Sequence, residues 1–269
     1  MTTSKINTTS VGSKIRLGII SALHEEQRGL VEAMEGAATV SHGMRDYTRG
    51  LLAGIDAVCV LSRIGKVAAA MTATVLVEKY GVTHILFTGV AGAGDAGVQV
   101  GDIVIAENLV QHDMDASPLF PRFQVPLTGL SHFASDLHLS QRLAEAASYF
   151  VETQFEQTIS PAERQAFRLT QPKVHRGLVA SGDRFVHCAS QMAGIGASLP
   201  GLLAVEMEGA AVAQVCFELG VPFAVIRTIS DNANDKAATD FMGFVKSVAA
   251  RYAFHIVTRF CDELSRRPF

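Results

Sequence analysis

No segment of this 269-residue chain is apolar for long enough to cross a bilayer; its hydrophobic runs have the length of strands. Residues 1–14 (MTTSKINTTSVGSK) lack the apolar core of a secretion signal. They read as a disordered arm ahead of residues 15–269, so the Asn7-Thr8-Thr9 glycosylation sequon carries little weight. Cysteine is scarce: Cys59, Cys188, Cys216 and Cys261 stand apart and form no C-x-x-C pair. Reduced thiols in the cytoplasm suit them better than a disulfide framework. An excess of one charge is lacking too. Twenty-three Lys and Arg against 26 Asp and Glu give a net charge of −3, which argues against nucleic acid or an anionic membrane as the main partner. Nothing resembles a linker, and 48% apolar with 18% charged residues is the composition of a compact protein, so one large α/β domain is expected.

Two tempting motifs fall away. His24-Glu25 opens like a zinc-binding H-E-x-x-H, but position 28 is Arg, so no metal pair forms. Gly92, Gly94 and Gly97 spell G-x-G-x-x-G after an apolar run at 84–87. A dinucleotide site needs a helix immediately afterwards, whereas 98–105 reads as a second strand with a turn in it. No cofactor is expected there; a glycine-rich loop passing close to a small ligand is.

What is present centres on residues 203–231. Residues 209–219 are rich in helix formers and end at Gly220, a helix stop. Residues 221–226 form a continuous apolar run, as in a strand buried on both faces. Glu206 and Glu208 stand at the helix entrance, and Arg227, Ser230 and Asp231 where the strand runs out. Each has a plain reading: the acids answer the helix dipole, and Ser-Asp opens a turn. As a set at a strand's carboxyl end they point to a ligand site.

Elsewhere, 14–20 reads as the first buried strand, followed by a helical pattern to about Glu35, with Glu26 at the strand's end. Residues 39–60 suggest two antiparallel strands turned near 54–56, and the helix after Gly65 presents Val67, Ala70, Met71 and Val75 as its apolar face. Lys66 reads as decoration of that helix start. Residues 134–151 look helical, 152–172 look like a surface excursion, and 173–180 form a strand running into Ser181-Gly182-Asp183-Arg184-Phe185-Val186. A final helix carries Phe244, Val245, Val248, Tyr252, His255, Ile256 and Phe260 on one face, with His255 as a face residue and not a ligand.

In order along the chain, Ser62-Arg63-Ile64-Gly65-Lys66-Val67, Gly101-Asp102, Ser181-Gly182-Asp183, Val205-Glu206-Met207-Glu208 and Ser230-Asp231 resemble the 5′-methylthioadenosine/S-adenosylhomocysteine nucleosidases, within the purine nucleoside phosphorylase superfamily. The resemblance implies a single-domain three-layer α/β sandwich with a central mixed twisted sheet. It implies hydrolysis of an N-glycosidic bond to release adenine, with neither metal nor cofactor. By position, Asp231 is similar to the acid that protonates or hydrogen-bonds adenine N7, oriented by Ser230, and burial beside carboxylates would help it hold a proton. Glu26 matches the group that activates water, and Arg227 the one that holds carboxylates and water in place. Glu208 matches the acid on the ribose hydroxyls, with Met207 and Glu206 alongside. Phe185 matches the ring stacked on adenine, and Val186 the backbone that reads its edge. Leu23, Ile64 and Phe241 match the thioalkyl and base pockets, and Val90, Ala91 and Gly92 the loop beside the ligand. The segment at Leu119-Phe120 resembles a loop that enters a neighbouring subunit's site, which implies a homodimer.

Val90 departs from the family, many of whose members carry Ser or Thr there. Related phosphorylases place Arg and Ser at the positions of Phe87 and Val90, and a basic residue near Glu26. A carboxylate and apolar side chains should repel a phosphate dianion, so water is the expected nucleophile; Arg63 is the residue that speaks for phosphate. A 6-amino-6-deoxyfutalosine hydrolase of this same family and a non-catalytic nucleoside binder are the other readings. Against the binder stands the presence together of Glu26, Glu208 and Asp231.

Overall fold

The structure, a computed structural model, describes residues 15–233 and 237–267, with residues 237–240 described by their backbone alone; the expected arm at 1–14 lies outside them. Its strands are β1 (Arg16–Ser21), β2 (Glu35–His42), β3 (Arg45–Leu52), β4 (Ile55–Leu61), β5 (His84–Ala93), β6 (Ile103–Gln111), β7 (His132–Ala134), β8 (Val174–Ser181), β9 (Leu202–Glu206) and β10 (Phe223–Asp231). They form one sheet in the order β10-β6-β8-β9-β5-β1-β4-β3-β2, with β7 on β6. β10 also pairs with β5, so five strands close into a ring with β1 to β4 as an extension. Pairing is mixed: β1 runs parallel to β4 and β5, while β6 is antiparallel to β10 and β9 to β5.

Helices cover both faces, and the alternation of strand side chains shows why. Leu17, Ile19, Leu86, Ala224 and Ile226 pack with Leu139 and Leu143 of α3 (Leu137–Tyr149) and with Tyr252, Ile256 and Phe260 of α9 (Ala250–Arg266). Their neighbours Ile20, Ile85, Phe87 and Val225 point the other way, onto Ala69, Ala73 and Leu76 of α2 (Lys66–Glu78) and Ala210, Ala213 and Cys216 of α7 (Gly209–Leu219). The three-layer α/β sandwich with a mixed sheet is therefore observed. The stop at Gly220 is observed as well, in the left-handed region at φ 67°.

Several local expectations are corrected. The helix expected after β1 is a single turn, α1 (His24–Gln27), ending just before Gly29 at φ 91°. The stretch expected as two strands holds three, because a tight turn at Gly43-Met44 separates β2 from β3. On α2 the expected apolar face is turned outward: Val67 is 81% exposed and Met71 is exposed too, whereas Ala69, Thr72, Ala73 and Leu76 are buried. Small residues bring α2 and α7 close, and this outweighs the hydrophobicity of Val67 and Met71. The supposed excursion at 152–172 contains α4 (Phe155–Thr158) and α5 (Pro161–Phe167), and it buries Phe155, Ile159 and Leu169. β9 went unread. Of the glycine-rich stretch, Gly92 belongs to the end of β5, while Gly94 and Gly97 lie in the bend and turn that follow it, and β10 continues through Arg227, Ser230 and Asp231 instead of ending before them.

Candidate active site

The ends of β1, β5, β8, β9 and β10 converge on a cavity of about 380 Å³, within the size range of small-molecule sites. Ala22, Leu23 and Glu26 enter it from beyond β1, Ile64 from the turn before α2, and Val90, Ala91 and Gly92 from β5. Arg184, Phe185 and Val186 come from beyond β8, Val205 to Glu208 from the end of β9, Ser230 and Asp231 from β10, and Phe241 from α8 (Ala237–Phe244). The convergence thus gathers Leu23, Glu26, Ile64, Val90, Ala91, Gly92, Phe185, Val186, Glu206, Met207, Glu208, Ser230, Asp231 and Phe241, all proposed from the sequence. Arg227 and Phe120 are not among the lining residues. Ala22, Arg184 and Val205 line the cavity and were missed, although Arg184 lies inside a stretch already singled out.

Glu26 is buried and pinned. Its Oε2 accepts the amides of Ala22 and Leu23 at 2.8 and 2.9 Å, and its Oε1 accepts the Val90 amide at 3.0 Å. A carboxylate oxygen has two lone pairs, so Oε1 can still take a proton from a water. Burial pushes its pKa above the ordinary glutamate value, opposed by the nearby Arg227 charge and the three amides. The Ser21 hydroxyl has no hydrogen-bond partner among the described residues, and it is Glu26 that collects the amides before α1.

Glu206 and Glu208 part company. Glu206 satisfies the dipole reading, taking the Gly209 amide at 2.8 Å and the Glu208 amide at 3.1 Å at the start of α7. It also accepts from the Ser181 hydroxyl and from Arg227 Nη2 at 2.6 Å. Glu208 turns the other way and accepts the Gly65 amide at 2.8 Å. Burial and the Glu206 charge raise the Glu208 pKa to about 8, against the pull of the Gly65 amide and Arg227.

Arg227 is fully buried behind the cavity, its guanidinium 4.1 Å over the Phe87 ring. Phe87 therefore supports Arg227 and does not wall the cavity. Arg63 is also turned away, donating to the Met44 carbonyl at 2.6 Å. Asp231 accepts the Ser230 hydroxyl on Oδ2 at 2.8 Å and the Ala233 amide on Oδ1 at 2.9 Å. Phe185 meets Phe241 edge to face, with centroids 5.8 Å apart, at the cavity's more exposed side.

The glycines of β5 have a spatial reason. A Cβ at Gly89 would lie 2.9 Å from Glu26 Oε1, and one at Gly92 would lie 3.1 Å from Asp231 Oδ1. Only glycine lets the two acids approach the strand this closely. Gly101-Asp102 is a structural motif, with Asp102 accepting from the amides of Gln99 and Lys173 and contacting His175 Nε2 at 2.8 Å. Among the described residues no group of three or more His, Cys, Asp or Glu is arranged to hold a metal, and no helix is long and apolar enough to cross a membrane.

Residues 16–262 match the family model of the phosphorylase superfamily. A 5′-methylthioadenosine/S-adenosylhomocysteine nucleosidase of Shewanella halifaxensis is 32% identical over 243 residues, covering 90% of this chain and 97% of its own. The nucleosidase of the same name from Neisseria meningitidis, solved with methylthio-immucillin-A, superposes with a TM-score of 0.81 at 36% identity, covering 93% of this chain and 99% of its own. A futalosine hydrolase of Helicobacter pylori superposes with a TM-score of 0.78 at 31% identity, over 93% and 98% of the two chains. The chain belongs to the 5′-methylthioadenosine/S-adenosylhomocysteine nucleosidase family.

Proposed function

We propose that this protein is a hydrolase that cleaves the N-glycosidic bond of 5′-methylthioadenosine, S-adenosylhomocysteine and related adenosine nucleosides, releasing adenine. One observation carries the reading: Glu26 and Asp231, each pinned by its own donors, face a single small cavity from different strand ends. An N-glycosidic bond breaks through an oxocarbenium-like transition state, which needs a proton for the leaving base and a water held at the opposite face of the sugar. In this reading Asp231, oriented by Ser230, serves adenine N7, and Glu26 takes the proton of the attacking water. Arg227 acts from behind, holding Glu206 directly and biasing Glu26 and Glu208 through its charge. Glu208 grips the ribose hydroxyls, with Met207 beside it. Phe185 stacks on adenine while the Val186 backbone reads its edge, which fixes the base for in-line attack. Leu23, Ile64 and Phe241 receive the thioalkyl group.

A homodimer belongs to the same proposal. Leu119 is 83% exposed beside Phe120, outside this chain's own cavity; Ile64, which lines that cavity, is exposed, and so are the apolar Met44, Val67 and Met71 on the segments that flank it in sequence. A second copy that covers this patch and brings Phe120 to it would complete the thioalkyl pocket. A cytoplasmic setting is supported by Cys59, Cys216 and Cys261, which are buried as thiols.

The likeness to the Helicobacter pylori futalosine hydrolase keeps a second substrate in view, 6-amino-6-deoxyfutalosine, which differs at the 5′-substituent. The test is adenine release from each nucleoside by the parent, Glu26→Gln and Asp231→Asn. The parent should turn over methylthioadenosine, and each variant should lose roughly 10²–10⁴-fold in turnover, while Glu26→Gln still binds adenine. Near-parental turnover by either folded variant would remove that residue's role.

A further inference from the structure

The turn that delivers Ile64 to the cavity is tied down from outside it. Gly65, at φ 99°, donates its amide to Glu208 Oε1 at 2.8 Å, and the next amide, of Lys66, goes to Asp183 Oδ1 at 2.8 Å. The Lys66 ammonium lies 2.6 Å from Asp113 Oδ1, 3.1 Å from Gln111 Oε1 and 4.0 Å from Asp183 Oδ2. The other Asp113 oxygen accepts the Asp183 amide at 2.9 Å. One side chain thus joins the turn before α2, the end of β6 and the turn after β8. None of Lys66, Asp113 and Asp183 lines the cavity.

This is more than decoration of a helix start. An ammonium in the first turn of a thirteen-residue helix has the unfavourable sign for the helix dipole, and the Lys66 side chain is only 15% exposed. Asp113 and Asp183 offset both costs. What the arrangement delivers is the placement of one amide. A Cβ at Gly65 would lie 3.2 Å from Asp183 Oδ1, so the turn is pressed against the clasp, and a glycine released from it has wide conformational freedom.

We propose that Lys66 is a positioning residue for sugar recognition: by clasping Asp113 and Asp183 it holds the Gly65 amide on Glu208 and so fixes the carboxylate that grips the ribose hydroxyls. The inference rests on the role given to Glu208 above, and its test separates the two. Parent, Lys66→Met, Lys66→Arg and Glu208→Gln are compared for kcat/KM on methylthioadenosine and on its 2′-deoxy and 3′-deoxy analogues, with adenine inhibition and Tm measured alongside. Above pH 8, where Glu208 is ionised, Glu208→Gln should reduce the preference for the intact ribose by about 10–100-fold, the worth of a hydrogen bond to a charged group. Lys66→Met should reduce it in the same direction with adenine inhibition unchanged, and Lys66→Arg should restore most of it. If Lys66→Met fails to fold, Asp113→Asn opens the same clasp and carries the same expectation. A loss by Glu208→Gln with full preference kept by Lys66→Met, or by Asp113→Asn in its place, overturns the proposal alone. Full preference kept by Glu208→Gln overturns the role of Glu208 and the proposal with it.

Discussion

Replacing Arg227 by Met keeps most of the side-chain volume and removes one buried charge. Arg227 Nη2 lies 2.6 Å from Glu206 Oε2, and both side chains are almost wholly inaccessible, at 1% and 3%. Removing one partner of such a pair strands the other in low dielectric, at a cost of about 3–5 kcal/mol. For a domain of this size that is a fall in Tm of roughly 6–20 °C. The same change reaches the chemistry. A Cβ at Gly89 would stand 2.9 Å from Glu26 Oε1 and 3.3 Å from Arg227 Nη1, so the two charges face each other within about 6 Å. Burial already raises the Glu26 pKa and Arg227 opposes it, so losing Arg227 raises it further. A base must be ionised to act, and the acidic limb of kcat/KM should therefore move to higher pH. The Glu208 pKa, also restrained by Arg227, moves in the same direction. The assay is thermal unfolding together with a kcat/KM–pH profile for the parent and Arg227→Met. A variant with parental Tm and an unmoved acidic limb would refute this reading of Arg227.

Gly89→Ala should abolish most turnover and cost about 1–3 kcal/mol of stability, because the new methyl displaces the buried Glu26 carboxylate from the amides it accepts; parental kcat in the folded variant would contradict the packing argument. Stability should also depend on Glu208. Its pKa is about 8 when folded against an ordinary value of 4.5, so between those values the folded state holds a proton that the unfolded chain releases. Stability then falls as pH rises through that window and levels off above it. Urea titrations should show this slope in the parent and a shallower one in Glu208→Gln; equal slopes would remove Glu208 as its source.

The parts of this fold legible in the sequence were those whose cause is local. α7 declared itself through its helix formers and Gly220, and the apolar run of β10 through burial on both faces. The apolar face of the last helical stretch was legible because Phe244, at the end of α8, and Val248, Tyr252, Ile256 and Phe260, leading into and along α9, recur at helical spacing and are all buried. The parts missed have causes distant in sequence. Gly89 and Gly92 look like a loop when read alone, yet they sit inside β5 through pairing with β10, and they are glycine because Glu26 and Asp231 press on the strand there. β9 is only five residues between Gly201 and the start of α7, too short to show a period. Val67 and Met71 are more hydrophobic than Ala69 and Ala73, but close approach to α7 selects the small residues for the interior. At the cavity, the acids were visible as polar interruptions at strand ends. That Glu206 serves the helix start and Arg227, while Glu208 answers Gly65, depends on partners 21 and 143 positions away and could only be seen in three dimensions.

The central claim is that water, activated at Glu26, is the nucleophile. Its most direct test is the fate of the sugar when methylthioadenosine is turned over in ¹⁸O-enriched water with phosphate in excess. The cavity places the Glu26 carboxylate and the Val90 side chain where a phosphate dianion would need several donors and positive charge. Adenine and methylthioribose carrying ¹⁸O at the anomeric carbon, in yields unaffected by phosphate, are predicted. Methylthioribose 1-phosphate as a substantial product would contradict the claim.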